Sequence, residues 1–248
     1  MADPLFDDEA RALRRRRAQA RDGSPFLAER IVEEMVERLM PVRRNFRQAL
    51  VTGCPTGLRP RLADVAEKVR FADQFDALAA EEEQGLDLLL TVGELDVLDE
   101  LPLLLRIAWS RLAPSGLFAG AIVGGNSLPA LRAALHAADR AVGGFAPRTH
   151  PRIEASAFAG LLGAAGFVDP VVDIDRVRLS YGSMSRLVAD LRDHAATNIL
   201  RSRPRQSMSR SAVAAAEQAF AARAEGGATE ERIELIHFAA WIPASKQP

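Results

Sequence analysis

The stretch Ala49-Leu50-Val51-Thr52-Gly53-Cys54-Pro55-Thr56-Gly57-Leu58 constrains the fold of this chain most sharply. A short apolar run enters a turn punctuated by two glycines, and the residues beyond it can start a helix. A strand–turn–helix of this kind points backbone N–H groups and a helix N-terminus at whatever sits above the sheet. The strand needs parallel neighbours, and Val69–Asp73, Leu86–Thr91 and Leu117–Val123 read as such. Helical stretches separate them, which predicts an open, mostly parallel α/β sheet of Rossmann-like type. The expected organisation is an N-terminal helical segment over 1–44 and an α/β domain over 45–248, with a helical lid around 183–225.

The remaining elements follow from local signals. The arginine cluster Arg14–Arg17 behind Asp7, Asp8 and Glu9 suits a helix dipole, and predicts a short first helix or a partly disordered arm. Ser24 as N-cap and Pro25 at the first position predict a helix over Pro25–Met40, stopped by Pro41. Further helices are expected over Arg59–Glu67, Phe75–Gln84, Asp99–Ala113 and Leu128–Arg140, the last with Ser127 as a candidate cap. Glu81, Glu82 and Glu83 would lie on a solvated face. Pro114-Ser115-Gly116 reads as a turn. A helix over Ala155–Ala165 should end at Gly166. Pro170–Tyr181 reads as a strand whose apolar parity changes, as a bulge near Asp175–Arg176 would allow. Helices over Met184–Ala196 and Ser211–Glu225, then a Gly226-Gly227 break, lead to a last strand, Arg232–Trp241.

Composition narrows the function. The 248 residues, 48% hydrophobic and 26% charged, are enough for a sizeable core. A formal net charge of −1 gives no basic field for nucleic acid. Cys54 is the only cysteine, so no internal disulfide forms, and His136, His150, His194 and His237 show no metal-ligand spacing. No apolar run approaches the roughly 20 residues of a membrane span. The N-terminus lacks an apolar segment and is acidic, unlike signal or transit peptides. A cytoplasmic location is expected.

The motifs resemble those of class I S-adenosylmethionine-dependent methyltransferases, whose first motif is usually Asp-x-Gly-x-Gly-Thr-Gly. Gly53, Thr56 and Gly57 match it. The interval from Gly57 to Asp73 suits the βαβ nucleotide pattern, in which an acid at the end of the second strand holds ribose hydroxyls. Asp73 is that candidate, and equally a surface acid closing a strand. Leu86–Leu90 with Asp99-Glu100-Leu101-Pro102 is similar to the fourth-strand region of the biotin-pathway malonyl-carrier-protein methyltransferases. Gly124-Gly125-Asn126-Ser127-Leu128-Pro129-Ala130-Leu131-Arg132 is similar to a segment of the methyltransferase-like mitochondrial complex I assembly factor and its bacterial relatives. So are Asp190-Leu191-Arg192 with Ala196-Thr197-Asn198, and Ala239-Ala240-Trp241. The likeness covers nearly the whole chain.

That resemblance implies a class I methyltransferase fold with an antiparallel last strand, S-adenosylmethionine as cofactor, and contacts from Gly53, Thr56, Gly57, Asp73 and Glu94. The departures fall on the same residues. Val51 stands where the family has an acid for the methionine amino group. Pro55 fixes φ near −65° and removes an N–H where the family has glycine. The interval from Asp73 to Leu86 leaves no room for the usual third strand, which is expected to be short or missing. Asp96-Val97 replaces a His-Trp pair. Two functions compete. One is a methyltransferase acting on a small molecule or protein, with Asp96, His150 or Tyr181 as candidate acid–base groups. The other is a scaffold with a degenerate cofactor loop that binds a protein partner during assembly of a respiratory complex, through Gly124–Arg132 and Arg176–Asn198. Hydroxylation, associated with the mitochondrial relative, finds no two-His-one-carboxylate pattern here.

Overall fold

A computed structural model describes residues 3–21, 23–80 and 84–245. In chain order the elements are α1 (Asp8–Gln19), α2 (Phe26–Leu39), β1 (Gln48–Thr52), β2 (Lys68–Ala72), β3 (Leu86–Val92), α3 (Leu101–Arg111), β4 (Leu112–Val123), α4 (Pro129–Ala141), α5 (Ala155–Ala164), β5 (Val168–Tyr181), α6 (Met184–Asp193), α7 (Arg210–Ala221), β6 (Ala224–Glu225) and β7 (Ala228–Trp241). Short 3-10 helices follow β1 (Thr56–Leu62), β2 (Phe75–Ala79) and β3 (Leu95–Val97). The sheet order is β2-β1-β3-β4-β7-β5, with β6 paired to β7.

The chain forms two compact units. One comprises residues 25–124, 153–175 and 235–248 and holds the parallel strands. Every residue of β3 is buried, and Leu88, Leu89 and Leu90 are fully so, as a central strand covered on both faces requires. β1 pairs in parallel with β2 and β3, and β3 with β4. The last strand turns antiparallel: Leu117 to Val123 of β4 pair with Trp241 to Leu235 of β7. The sheet ends at β2 among the described residues, so the strand expected to be short or missing has no counterpart there. Phe118 sits within 4.9 Å to 5.8 Å of the Phe75, Phe167 and Phe238 ring centres. Those rings fill the layer between α3, α5 and the sheet.

The other unit comprises residues up to 24, 125–152 and 176–234. There α4 packs on α7, and α1 on α6. Phe6 bridges Leu200, and backbone bonds Asp7 N–H to Ile199 O and Arg201 N–H to Leu5 O pin the N-terminal arm as an added strand-like edge. The arm is therefore ordered over its described part.

Several expectations are corrected. The second helix starts at Phe26 and is not capped by Ser24: Pro25 takes the cap position, and its carbonyl accepts the Glu29 N–H at 2.9 Å. The helix expected over Arg59–Glu67 is the 3-10 turn Thr56–Leu62, because Pro60 lies inside it and cannot donate to an α-helical ladder. Phe75–Gln84 is likewise only the 3-10 turn Phe75–Ala79; Glu81, Glu82 and Glu83 lie outside the described residues. Pro114-Ser115-Gly116 is an irregularity within β4, not a turn ahead of it. Ser115 has φ 58°, and the β3–β4 register shifts between Leu86 and Leu88. Ser127 does not cap α4. Its hydroxyl accepts the Glu234 N–H at 2.9 Å, and the Glu231 carboxylate takes the helix N-terminus instead, accepting from Ala130 and Leu131 at 3.3 Å and 2.8 Å. A carboxylate there satisfies orphan amides and the dipole together.

Candidate functional site

The turn after β1 is held from below. Gly53 has φ 70°, in the left-handed region that favours glycine, and donates its N–H to Ala72 O at 3.1 Å. A β-carbon on Gly53 would lie 2.5 Å from the Glu94 carboxyl carbon. Glu94, 3% exposed, is thus seated against the α-carbon of the turn. Val51, on β1, is fully buried. Thr56 and Gly57 are exposed, and nothing lies within 4 Å of where a Gly57 side chain would start. Cys54 is 3% exposed, and burial pushes its thiol up to about 11. It is a packed residue in its neutral form, with no thiolate to offer.

Asp73 follows β2 directly, its side chain 85% exposed. The Arg59 guanidinium reaches it at 2.6 Å from Nη2, while Nε points at the Cys54 carbonyl at 3.4 Å. The same guanidinium lies over the Phe71 ring, 5.3 Å from its centre. Arg59 therefore joins the two ends of the loop. Gly53, Glu94 and Asp73 are gathered around one turn, with Thr56 and Gly57 on its outer side. The sequence reading missed Arg59; an arginine two residues past Gly57, ahead of an acid closing the next strand, was the available signal.

The candidate acid–base groups are committed elsewhere. Asp96 is 8% exposed, on the 3-10 turn after β3. His150 accepts the Ile199 N–H at 2.9 Å through Nε2 and meets Phe6 edge-on. Burial, aided by the positive charge of Arg152, lowers its pKa to about 4, so the ring is neutral. The Tyr181 hydroxyl donates to Asp190 at 2.9 Å, and burial followed by that carboxylate raises its pKa. His150 and Tyr181 are thus held in hydrogen bonds within the fold. His237, 1% exposed on β7, holds both ring nitrogens without a hydrogen-bond partner among the described residues, and burial lowers its pKa.

In the unit built on α4, α6 and α7 a cavity of about 150 Å³ opens. Its walls come from Ser127–Leu135, from 148–152 and from 188–198, so the two segments expected to meet a partner, Gly124–Arg132 and Arg176–Asn198, line one space. Among the described residues no group of three or more His, Cys, Asp and Glu is placed to hold a metal ion. No helix among them is long and apolar enough to cross a membrane.

No protein-family model matches the chain. It is similar to the mitochondrial arginine-hydroxylase NDUFAF5 of zebrafish, Danio rerio, at 30% identity over 229 residues, covering 91% of this chain and 68% of that protein. The chain belongs to the NDUFAF5 family. The human member is also 30% identical, over 196 residues, 70% of this chain and 57% of the relative. The chain is also similar to a malonyl-[acyl-carrier protein] O-methyltransferase of Laribacter hongkongensis, 24% identical over 99% of this chain and 93% of that protein. Among solved structures the YcgJ protein of Bacillus subtilis superposes with a TM-score of 0.51 at 11% identity, over 88% of this chain and all of that one. The fold is that of the class I S-adenosylmethionine-dependent methyltransferases, α/β and Rossmann-like with an antiparallel last strand, as the sequence led one to expect.

Proposed function

We propose that this chain keeps the methyltransferase fold but binds S-adenosylmethionine weakly or not at all, and that it acts by binding a protein partner as an assembly factor of the respiratory complex I type. The observation that carries this reading is the Arg59–Asp73 pair, 2.6 Å apart beneath an exposed loop. The acid that would hold the ribose is already engaged by a guanidinium anchored on the Cys54 carbonyl and the Phe71 ring. A sulfonium cofactor would have to displace one cation from Asp73 while finding no acid at Val51. Pro55 offers it no N–H, and no strand stands beyond β2 among the described residues to bracket the adenine. Each charge-assisted bond forgone is worth about 1.5–3 kcal/mol. Two of them, with a lost stacking surface, reduce affinity by roughly a thousandfold at about 1.4 kcal/mol per tenfold. The residues therefore do not fit the cofactor well.

The competing reading is a methyltransferase in which Gly53, Thr56, Gly57, Asp73 and Glu94 contact S-adenosylmethionine. The open space above Gly57 favours it. Thermal denaturation in S-adenosylhomocysteine at about 1 mM separates the two. A micromolar site would be stabilised by about 2.7 kcal/mol or more, whereas a millimolar site gains only about 0.4 kcal/mol. The scaffold reading expects the small shift; the large one overturns it.

A further inference from the structure

The second unit carries a site that does not depend on the cofactor loop. The cavity of about 150 Å³ has an apolar floor of Leu131, Leu135, Val188 and Leu191. None of the residues around it is acidic, while three are arginines: Arg132, Arg148 and Arg152. Asp139, which pairs with the lining residue Arg148, is already engaged. It is buried, accepts the Arg148 Nε–H at 2.7 Å and takes the Ala146 N–H with its other oxygen. Arg132 by contrast is held by a neutral group, the Gly125 carbonyl, at 2.9 Å from Nη1, and makes no ion pair among the described residues. Its charge is fixed in place and not neutralised there.

The walls are preorganised. Asn198 donates to the Pro147 carbonyl at 2.8 Å and accepts the Leu200 N–H at 2.9 Å. The Asn198–Pro147 bond and the Ile199 N–H on His150 tie the 147–152 loop to the 196–200 segment. A concavity lined by leucines, a valine and three arginines, with no acid in its lining, selects a ligand with an apolar body and an anionic group. Its volume is below the roughly 300 Å³ at which drug-sized ligands begin, so the ligand is small.

We propose that this cavity binds a small organic carboxylate, its short apolar body against the leucine floor and its anionic head at Arg132, with Arg152 beside it. The site stands apart from the reading of the cofactor loop, and either can fail alone.

Calorimetric titration of the whole chain with hexanoate, hexan-1-ol and inorganic phosphate tests it, with amide chemical shifts of Leu131, Asn198 and Ile199 reporting location. Hexanoate should bind with a Kd of about 1 mM or below and move those amides. The alcohol, which lacks the charge, and phosphate, which lacks the body, should each bind at least about tenfold more weakly. Arg132→Gln should weaken hexanoate by about tenfold or more, and Arg152→Gln, whose fold does not depend on the Gly125 bond, should weaken it in the same direction. Equal binding of the three probes overturns the proposal. So does phosphate binding best, hexanoate failing to bind at 20-fold above the expected Kd, or tight binding only of an acidic peptide. Unchanged affinity in both folded variants also overturns it.

Discussion

The two units treat their polar groups in opposite ways. In the unit built on the parallel sheet, the loop that elsewhere in the fold faces a nucleotide is closed on itself: Glu94 is seated against Gly53, and Arg59 ties Asp73 to the Cys54 carbonyl. In the unit built on α4, α6 and α7, comparable charges are spent on shaping a space. Glu231 and Asp139 satisfy backbone amides around α4, and Arg132 is left with a carbonyl as partner. Arginines and acids thus tie the loop together in one unit and line a cavity in the other; on the proposed reading, the family's backbone is kept while recognition moves to a different part of the chain.

The comparison can be broken at its firmest point first. Gly53→Ala must place a side chain at φ 70° and 2.5 Å from the Glu94 carboxyl. It should cost about 3 kcal/mol in urea unfolding, and a near-neutral result would mean the turn is not locked. On the other side, Glu231→Ala orphans two buried amides at the start of α4. A loss of about 2 kcal/mol is expected, and no loss would remove the claim that the cavity wall is pinned.

Third comes pH. His150 has a folded pKa lowered to about 4 from 6.5, so the unfolded state binds the extra proton between those values. Stability from this group is complete above about pH 6.5 and is lost as pH falls toward 4. About 1–2 kcal/mol should go between pH 7 and pH 5, and His150→Gln should flatten that part of the curve. An identical slope in the variant would place the titration elsewhere. The smallest effect on stability is Arg59→Ala. Its exposed ion pair is worth less than about 1 kcal/mol. The same change removes the guanidinium from Asp73, and S-adenosylhomocysteine affinity should rise by up to about fivefold, read by calorimetry; unchanged affinity would show that Arg59 is not what occupies the loop.

Much of the sheet was legible in the sequence because its signals are local. Leu86–Thr91 could only be a strand covered on both faces, and the short interval after Asp73 left no room for an outer strand. The glycine pair 226–227 was legible as a break, but the helix expected to run to Glu225 stops at Ala221, and the pair, both at positive φ, forms the hairpin joining β6 to a last strand that starts at Ala228. The errors have two causes, a partner far along the chain and a misplaced local boundary. Ser127 looked like a cap, but Glu231, about a hundred residues on, offers two oxygens where a hydroxyl offers one. Pro60 was placed in a first turn it could tolerate, whereas the turn begins earlier and puts it inside. Of the candidate contacts read from the sequence, Gly53, Asp73 and Glu94 lie around one turn, with Glu94 against Gly53 and Asp73 just after β2. What the sequence concealed was Arg59, because a side chain's choice between solvent and an acid fourteen residues away is set by the strand register. The cavity was hidden for the same reason, although both of its flanking segments had been singled out.

We propose that the loop after β1 is closed to S-adenosylmethionine. Calorimetric titration of the unaltered chain with that cofactor is the direct test. No saturable heat is expected below about 1 mM. A one-to-one isotherm with a micromolar Kd would contradict it, and would return Gly53, Thr56, Gly57, Asp73 and Glu94 to the role of cofactor ligands.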